Sequence, residues 1–197
     1  MTNGFMILYP PGTGKTRTVW HKIFQQKGSL KGKLRYSIAH TLIVGPNQEI
    51  YRIWLRELAL YCLGSSKYKQ RLCCEFPNLN EKAMEDKIRH ASAATLAKKI
   101  KGTLLLEAVP AFKTYSQLSS PRIKRQNYQI LILDEWHRAG NRLKQAVPES
   151  GCFAKVKAKK AVFFVSATPL NPVLLEKETD SILTKIHYQC QRSKSAL

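Results

Sequence analysis

Four short runs of branched and aromatic residues interrupt an otherwise polar chain: Phe5 to Tyr9 (FMILY), His40 to Val44 (HTLIV), Gln129 to Leu133 (QILIL) and Ala161 to Val165 (AVFFV). Each ends at Pro, Gly, Asp or Ser. Unbroken apolarity, rather than alternation, is the pattern of a strand buried on both faces, as in a parallel sheet. Between the runs lie longer polar-apolar segments at about 15–24, 49–61 and 83–99, which predict helices, and a shorter one at 142–145. Strand alternating with helix predicts an α/β layered fold. A fifth strand is expected at 103–106 or at 108–112, with Pro110 standing in the second alternative. Beyond Pro172 the pattern weakens to one helix over 174–186 and a polar tail, with no room for another sheet.

Two strings of candidate chemistry sit at the ends of these runs. Pro10-Pro11-Gly12-Thr13-Gly14-Lys15-Thr16 follows the first strand and opens the first helix, which is the context a phosphate loop requires. Glycines let successive backbone N–H groups turn towards phosphate oxygens, and the helix N-terminus adds its positive dipole. Lys15 is then placed to reach the β and γ phosphates and the Thr16 hydroxyl to ligate magnesium. Tyr9 stands where the general pattern GxxxxGK[ST] has its first glycine. The second string, Asp134-Glu135-Trp136-His137, closes the QILIL strand. Acids at the end of a buried strand are costly unless they hold a metal ion or activate water. Asp134 is expected to contact magnesium and Glu135 to orient or deprotonate the attacking water, the plainer alternative being Asp134 as a helix cap.

Taken in order, "PPGTGKT", "TLIVGPNQEIYRIWLREL", "KTYSQL", "LILDEWHRAGN" and "VFFVSATPLNP" resemble motifs I, Ia, Ib, II and III of superfamily 2 helicases, closest in flavour to the DEAH-like, Swi/Snf-type DNA-dependent ATPases. The resemblance implies a RecA-like P-loop NTPase fold, a three-layer α/β/α sandwich around a mainly parallel sheet. It implies ATP held by Pro11, Gly12, Thr13, Gly14, Lys15 and Thr16, magnesium held by Thr16 and Asp134, and catalysis by Glu135 with Lys15 and Asp134. His137, Ser166 and Thr168 would couple the nucleotide site to the nucleic-acid track. Pro46, Asn47, Thr114, Tyr115 and Ser116 would lie along the strand-binding surface, where sugar-phosphate contacts give affinity with little sequence information. Trp136 stands where such proteins carry a small residue.

The same resemblance makes residues 1–172 a helicase ATP-binding lobe and 173–197 a C-terminal helix and tail, with a second RecA-like lobe absent. An isolated lobe is expected to hydrolyse ATP slowly and not to unwind by itself, unless a second lobe acts in trans. Two other readings stay open. One is a decayed module that binds nucleotide and nucleic acid without hydrolysis. The other is an AAA-type ATPase, which shares "PPGTGKT" but expects a helical lid that the tail does not supply.

Charge strengthens the nucleic-acid expectation. Lys and Arg number 33 against 13 Asp and Glu, a formal charge of +20, which suits a polyanionic partner. Non-specific backbone binding is expected, with DNA favoured over RNA. The basic runs at 27–33, 119–125 and 155–160 read as solvated edges or phosphate contacts, and "KVKAKK" is compatible with nuclear import in a eukaryote. No apolar stretch approaches the roughly 18–20 residues that span a bilayer, and no signal peptide is recognisable, so an intracellular location without membrane contact is expected. The five cysteines form no CxxC pair, which argues against a disulfide framework and a zinc ribbon and predicts reduced, partly buried thiols. His21, His40, His90 and His187 show no metal-ligand spacing, and Trp20 and Trp54 read as core residues on helices, with base stacking as the alternative.

Overall fold

The computed structural model describes residues 3–8, 12–25, 34–118, 126–136, 156–167 and 186–190. Strand β1 (Asn3–Leu8) leads into helix α1 (Lys15–Gln25), followed by α2 (Leu34–Ala39), β2 (Thr41–Gly45) and α3 (Gln48–Leu63). Three further helices, α4 (Ser66–Glu75), α5 (Glu81–His90) and α6 (Ala93–Leu104), precede β3 (Ala111–Thr114) and the single turn α7 (Tyr115–Leu118). The chain returns to the sheet as β4 (Gln126–Asp134), β5 (Val156–Ser166) and β6 (Ile186–Cys190). The six described strands lie in the order β3-β2-β4-β5-β1-β6, and every neighbouring pair is parallel. This is the layered α/β arrangement around a parallel sheet expected of a RecA-like lobe.

The four apolar runs become the four central strands because both of their faces are covered. Ile7, Ile43, Ile130, Ile132, Phe163 and Val165 face a core shared with Trp20, Trp54, Leu55 and Leu58 of α1 and α3. The alternate residues Leu42, Val44, Leu131, Leu133, Val162 and Phe164 are buried on the opposite face with Tyr115, Leu118 and Trp136. Parallel strands all point one way, so Leu8, Gly45, Thr114, Asp134 and Ser166 end at a common edge. Ligands of open α/β sheets bind outside that carboxyl edge.

Four expectations need correction. The predicted 83–99 helix is two, because Ser92 accepts a hydrogen bond from Thr95 N and caps a new start at α6. Helix α4 escaped the sequence pattern because its apolar face is narrow, only Tyr68 and Leu72 being buried. Of the two sites for a fifth strand, 103–106 holds the last two residues of α6 and the turn that ends it, while β3 begins at Ala111, just after Pro110. The polar segment Ile186–Cys190, read as a helix end and tail, pairs in parallel with β1 as an edge strand. The expected helices at 142–145 and 174–185 lie outside the described residues, as does the loop Tyr9 to Pro11.

Among the described cysteines, Cys62 is buried and Cys73 and Cys74 are exposed. Burial pushes the Cys62 thiol up to about 12, so hardly any reactive thiolate forms there near neutrality. Alkylation of the native chain at pH 8, mapped by peptide mass, should label Cys73 and Cys74 at least about 100-fold faster than Cys62, and denaturant should erase the difference.

Candidate nucleotide site

Gly12 and Gly14 both adopt positive φ, 77° and 80°, a region that residues with a Cβ rarely enter. Among the described residues, a Cβ built on either would meet nothing within 4 Å, so each glycine borders open space. Helix α1 begins immediately after it, with Thr18 N and Oγ1 both donating to Gly14 O at 3.0 and 3.2 Å. The first-turn N–H groups and dipole of this 11-residue helix therefore lie directly after the two glycines.

Strand β5 separates β1 from β4, which sets their axes about 10 Å apart. Two long side chains bridge that gap: Lys15 Nζ lies 4.0 Å from Glu135 Oε1, with both side chains four-fifths or more buried. The predicted loop and acid pair are thus brought together. Ser166, fully buried, is in register with Leu8 at the end of β1, and its neighbour Val165 is in register with Asp134, so it sits between the two strings.

Alternation along β4 puts Asp134 on the same face as Ile130 and Ile132, beneath the helices, where it is only 6% exposed. Burial is the largest cause that raises its carboxyl to about 6; the Glu135 charge adds to the rise, while the hydrogen bond from Trp54 and the Lys15 charge offset part of it. The Trp54 bond, Nε1 to Oδ2 at 2.7 Å, is of the charge-assisted kind that contributes about 1.5–3 kcal/mol. An acid so strongly desolvated, next to an open loop of positive-φ glycines, fits a divalent cation carried in with phosphates. Among the described residues no cluster of three His, Cys, Asp or Glu forms a metal site of its own.

Glu135 adopts φ +50°, a left-handed conformation that costs a residue with a side chain on the order of 1–3 kcal/mol. The neighbouring residues hold it there. Tyr115 Oη donates to Asp134 O at 2.9 Å, fixing the peptide unit that leads into Glu135. Trp136 packs edge-on against Phe164 with ring centroids 5.6 Å apart, so its bulk enters the core on the far face of the sheet instead of the nucleotide side. Its Nε1 is buried with no partner among the described residues.

The expected strand-binding residues divide. Register places Gly45 beside Thr114, so Pro46, Asn47, Thr114 and Ser116 gather at one end of β2 and β3. Asn47 is exposed but caps α3, accepting from Ile50 N at 3.3 Å, and Thr114 with Gln117 forms a reciprocal cap on α7. Tyr115, by contrast, is buried, with its hydroxyl turned inward on Asp134, so it presents no surface for a strand. Trp54, read from sequence as a core residue with base stacking as the alternative, is in the core and also donates to Asp134. Pro11, His137 and Thr168 lie outside the described residues.

Residues 2–171 match the model of the ResIII family, described as type III restriction enzyme, res subunit. The chain belongs to this family. Its ResIII domain is thus a helicase-like ATP-binding domain of the superfamily 2 kind, as the ordered motifs implied. Among solved structures, the Pyrococcus furiosus Hef helicase domain is similar at 17% identity and a TM-score of 0.46, over 95% of this chain and 35% of that one. The ResIII chain therefore spans about a third of the length of that solved chain. No curated protein matches it. Among the described residues no helix is long and apolar enough to cross a membrane.

Proposed function

We propose that residues 1–172 form the ATP-binding lobe of a nucleic-acid-dependent ATPase of the DEAH-like, Swi/Snf-related kind, hydrolysing ATP to ADP and phosphate. The observation that carries this reading is the meeting of Lys15 and Glu135 across β5 at the mouth of the glycine loop. Gly12, Thr13, Gly14 and Lys15, with Pro11, hold the phosphates; Lys15 contributes charge to the β and γ groups, and Thr16 with Asp134 would hold magnesium. The metal would supply further positive charge against the phosphates as they separate. Glu135 orients the attacking water and accepts its proton, which requires that Lys15 turn from Glu135 towards the phosphates as ATP enters. Ser166, between the two strings, is suited to sense which nucleotide is present, together with His137 and Thr168.

Pro46, Asn47, Thr114 and Ser116 mark the surface along which a nucleic-acid backbone runs, and the +20 charge supplies the attraction. DNA is favoured over RNA. As one lobe of a two-lobed motor this unit hydrolyses slowly, and full activity needs a second RecA-like lobe facing it, in trans if need be.

The test is ATP turnover by the purified chain with and without single- and double-stranded DNA, beside Lys15→Ala. DNA-stimulated turnover that the substitution removes is the expected result, with DNA affinity falling roughly 10³-fold or more between about 50 and 200 mM salt. Turnover indifferent to both DNA and Lys15→Ala would overturn the proposal, and salt-independent binding would overturn its electrostatic part.

A further inference from the structure

Trp54 is fully buried on α3, and its single N–H needs one acceptor. Trp20 on α1 meets the same need with a main-chain carbonyl, its Nε1 donating to Trp54 O at 3.0 Å. Trp54 instead donates to a side chain 80 residues away, Oδ2 of Asp134, at 2.7 Å. The carboxylate torsion of an aspartate is broad and nearly free, so a fixed donor on one oxygen sets the direction of the other. The Trp54 ring cannot follow a wandering carboxylate, because it is locked edge-on against Trp20 with centroids 5.6 Å apart and an interplanar angle of 77°. Tyr115 meanwhile holds the main-chain carbonyl of the same residue. Asp134 is thus restrained at both ends, from α3 and from α7.

Thr16 and Trp20 are one helical turn apart on α1, and so share a face. The contact of Trp20 with Trp54 therefore ties the helix that carries Thr16 to the residue that holds Asp134. We propose that Trp54 is a positioning residue: its indole N–H sets the Asp134 carboxylate in the orientation that receives magnesium beside Thr16. This rests on the ATP-binding reading given above.

The test uses the full chain labelled with ¹⁵N, whose three tryptophans give three indole N–H signals, the Trp54 signal being the one lost in Trp54→Phe. Asp134→Asn should move the Trp54 signal more than the other two, and magnesium with ADP should move it in the unsubstituted chain. Trp54→Phe should raise the magnesium concentration for half-maximal ADP binding about tenfold, with ADP affinity in EDTA unchanged. Trp20→Phe keeps an aromatic ring against Trp54 and leaves the bond to Asp134, losing only the Trp20 N–H bond to Trp54 O, so it should keep the magnesium requirement within about twofold. A Trp54 signal indifferent to Asp134→Asn, or an equal magnesium shift in both phenylalanine variants, would overturn the proposal. A chain that binds no nucleotide at any magnesium concentration would overturn the ATPase reading and with it the metal role of Trp54. The response of the indole signal to Asp134→Asn would still decide whether the bond exists.

Discussion

Glu135→Gln should lower ATP turnover by a factor of about 10²–10⁴ while leaving nucleotide affinity within about threefold. Glutamine has the size and shape of glutamate, and the left-handed backbone at this position penalises both alike, so the fold has no reason to change. What disappears is the base of the proposed mechanism. A water can still be hydrogen-bonded by the amide but cannot give up its proton to it. Loss of the 4.0 Å partner also frees Lys15, which favours phosphate binding if it changes it at all. Rapid-quench turnover and equilibrium binding of a labelled nucleotide separate the two effects. If both fell together, Glu135 would be holding Lys15 in place and the water would be activated elsewhere.

Asp134→Asn should move stability and activity in opposite directions. The Asp134 carboxyl, ordinarily near 3.8, is pushed up to about 6 chiefly by burial. The folded chain therefore binds this proton more tightly than the unfolded chain does. The resulting destabilisation is absent below about pH 4, grows as pH rises towards 6, and is complete above that. At about 1.4 kcal/mol per pH unit the charge costs on the order of 3 kcal/mol at pH 8. Asparagine removes the charge and can still accept the Trp54 N–H bond. In EDTA at pH 8 the variant should melt roughly 5–10 °C above the unsubstituted chain, and the gap should close near pH 4. With magnesium and ATP the same variant should lose at least about 100-fold in turnover. Equal melting temperatures across that pH range would mean that Asp134 is better solvated than its position suggests.

The strands and the phosphate loop were legible because their signals are local. An apolar run of five residues between turn formers has few alternatives in a parallel sheet, and the glycines at 12 and 14 announce a backbone that other residues avoid. The polar edge strand Ile186–Cys190 gave no such signal, since a strand paired on one side only need not be apolar. The break between α5 and α6 was hidden by continuing periodicity and is written only in the Ser92 cap. The site shows the same division. Lys15, Asp134 and Glu135 could be picked out from their places after strands, but nothing near Trp54 or Tyr115 in the sequence says that either reaches Asp134. Those contacts join segments 80 and 19 residues apart, and only the packing of α3 and α7 on opposite faces of β4 creates them.

The positive φ at Glu135 also bears on engineering. Glycine and asparagine enter that conformation far more readily than glutamate does, so either would relieve the backbone and harden the chain against heat. A library screened for thermal tolerance alone would enrich such replacements. The survivors would be robust ATP-binding shells that no longer turn over, so a useful screen for this chain must score phosphate release in every round.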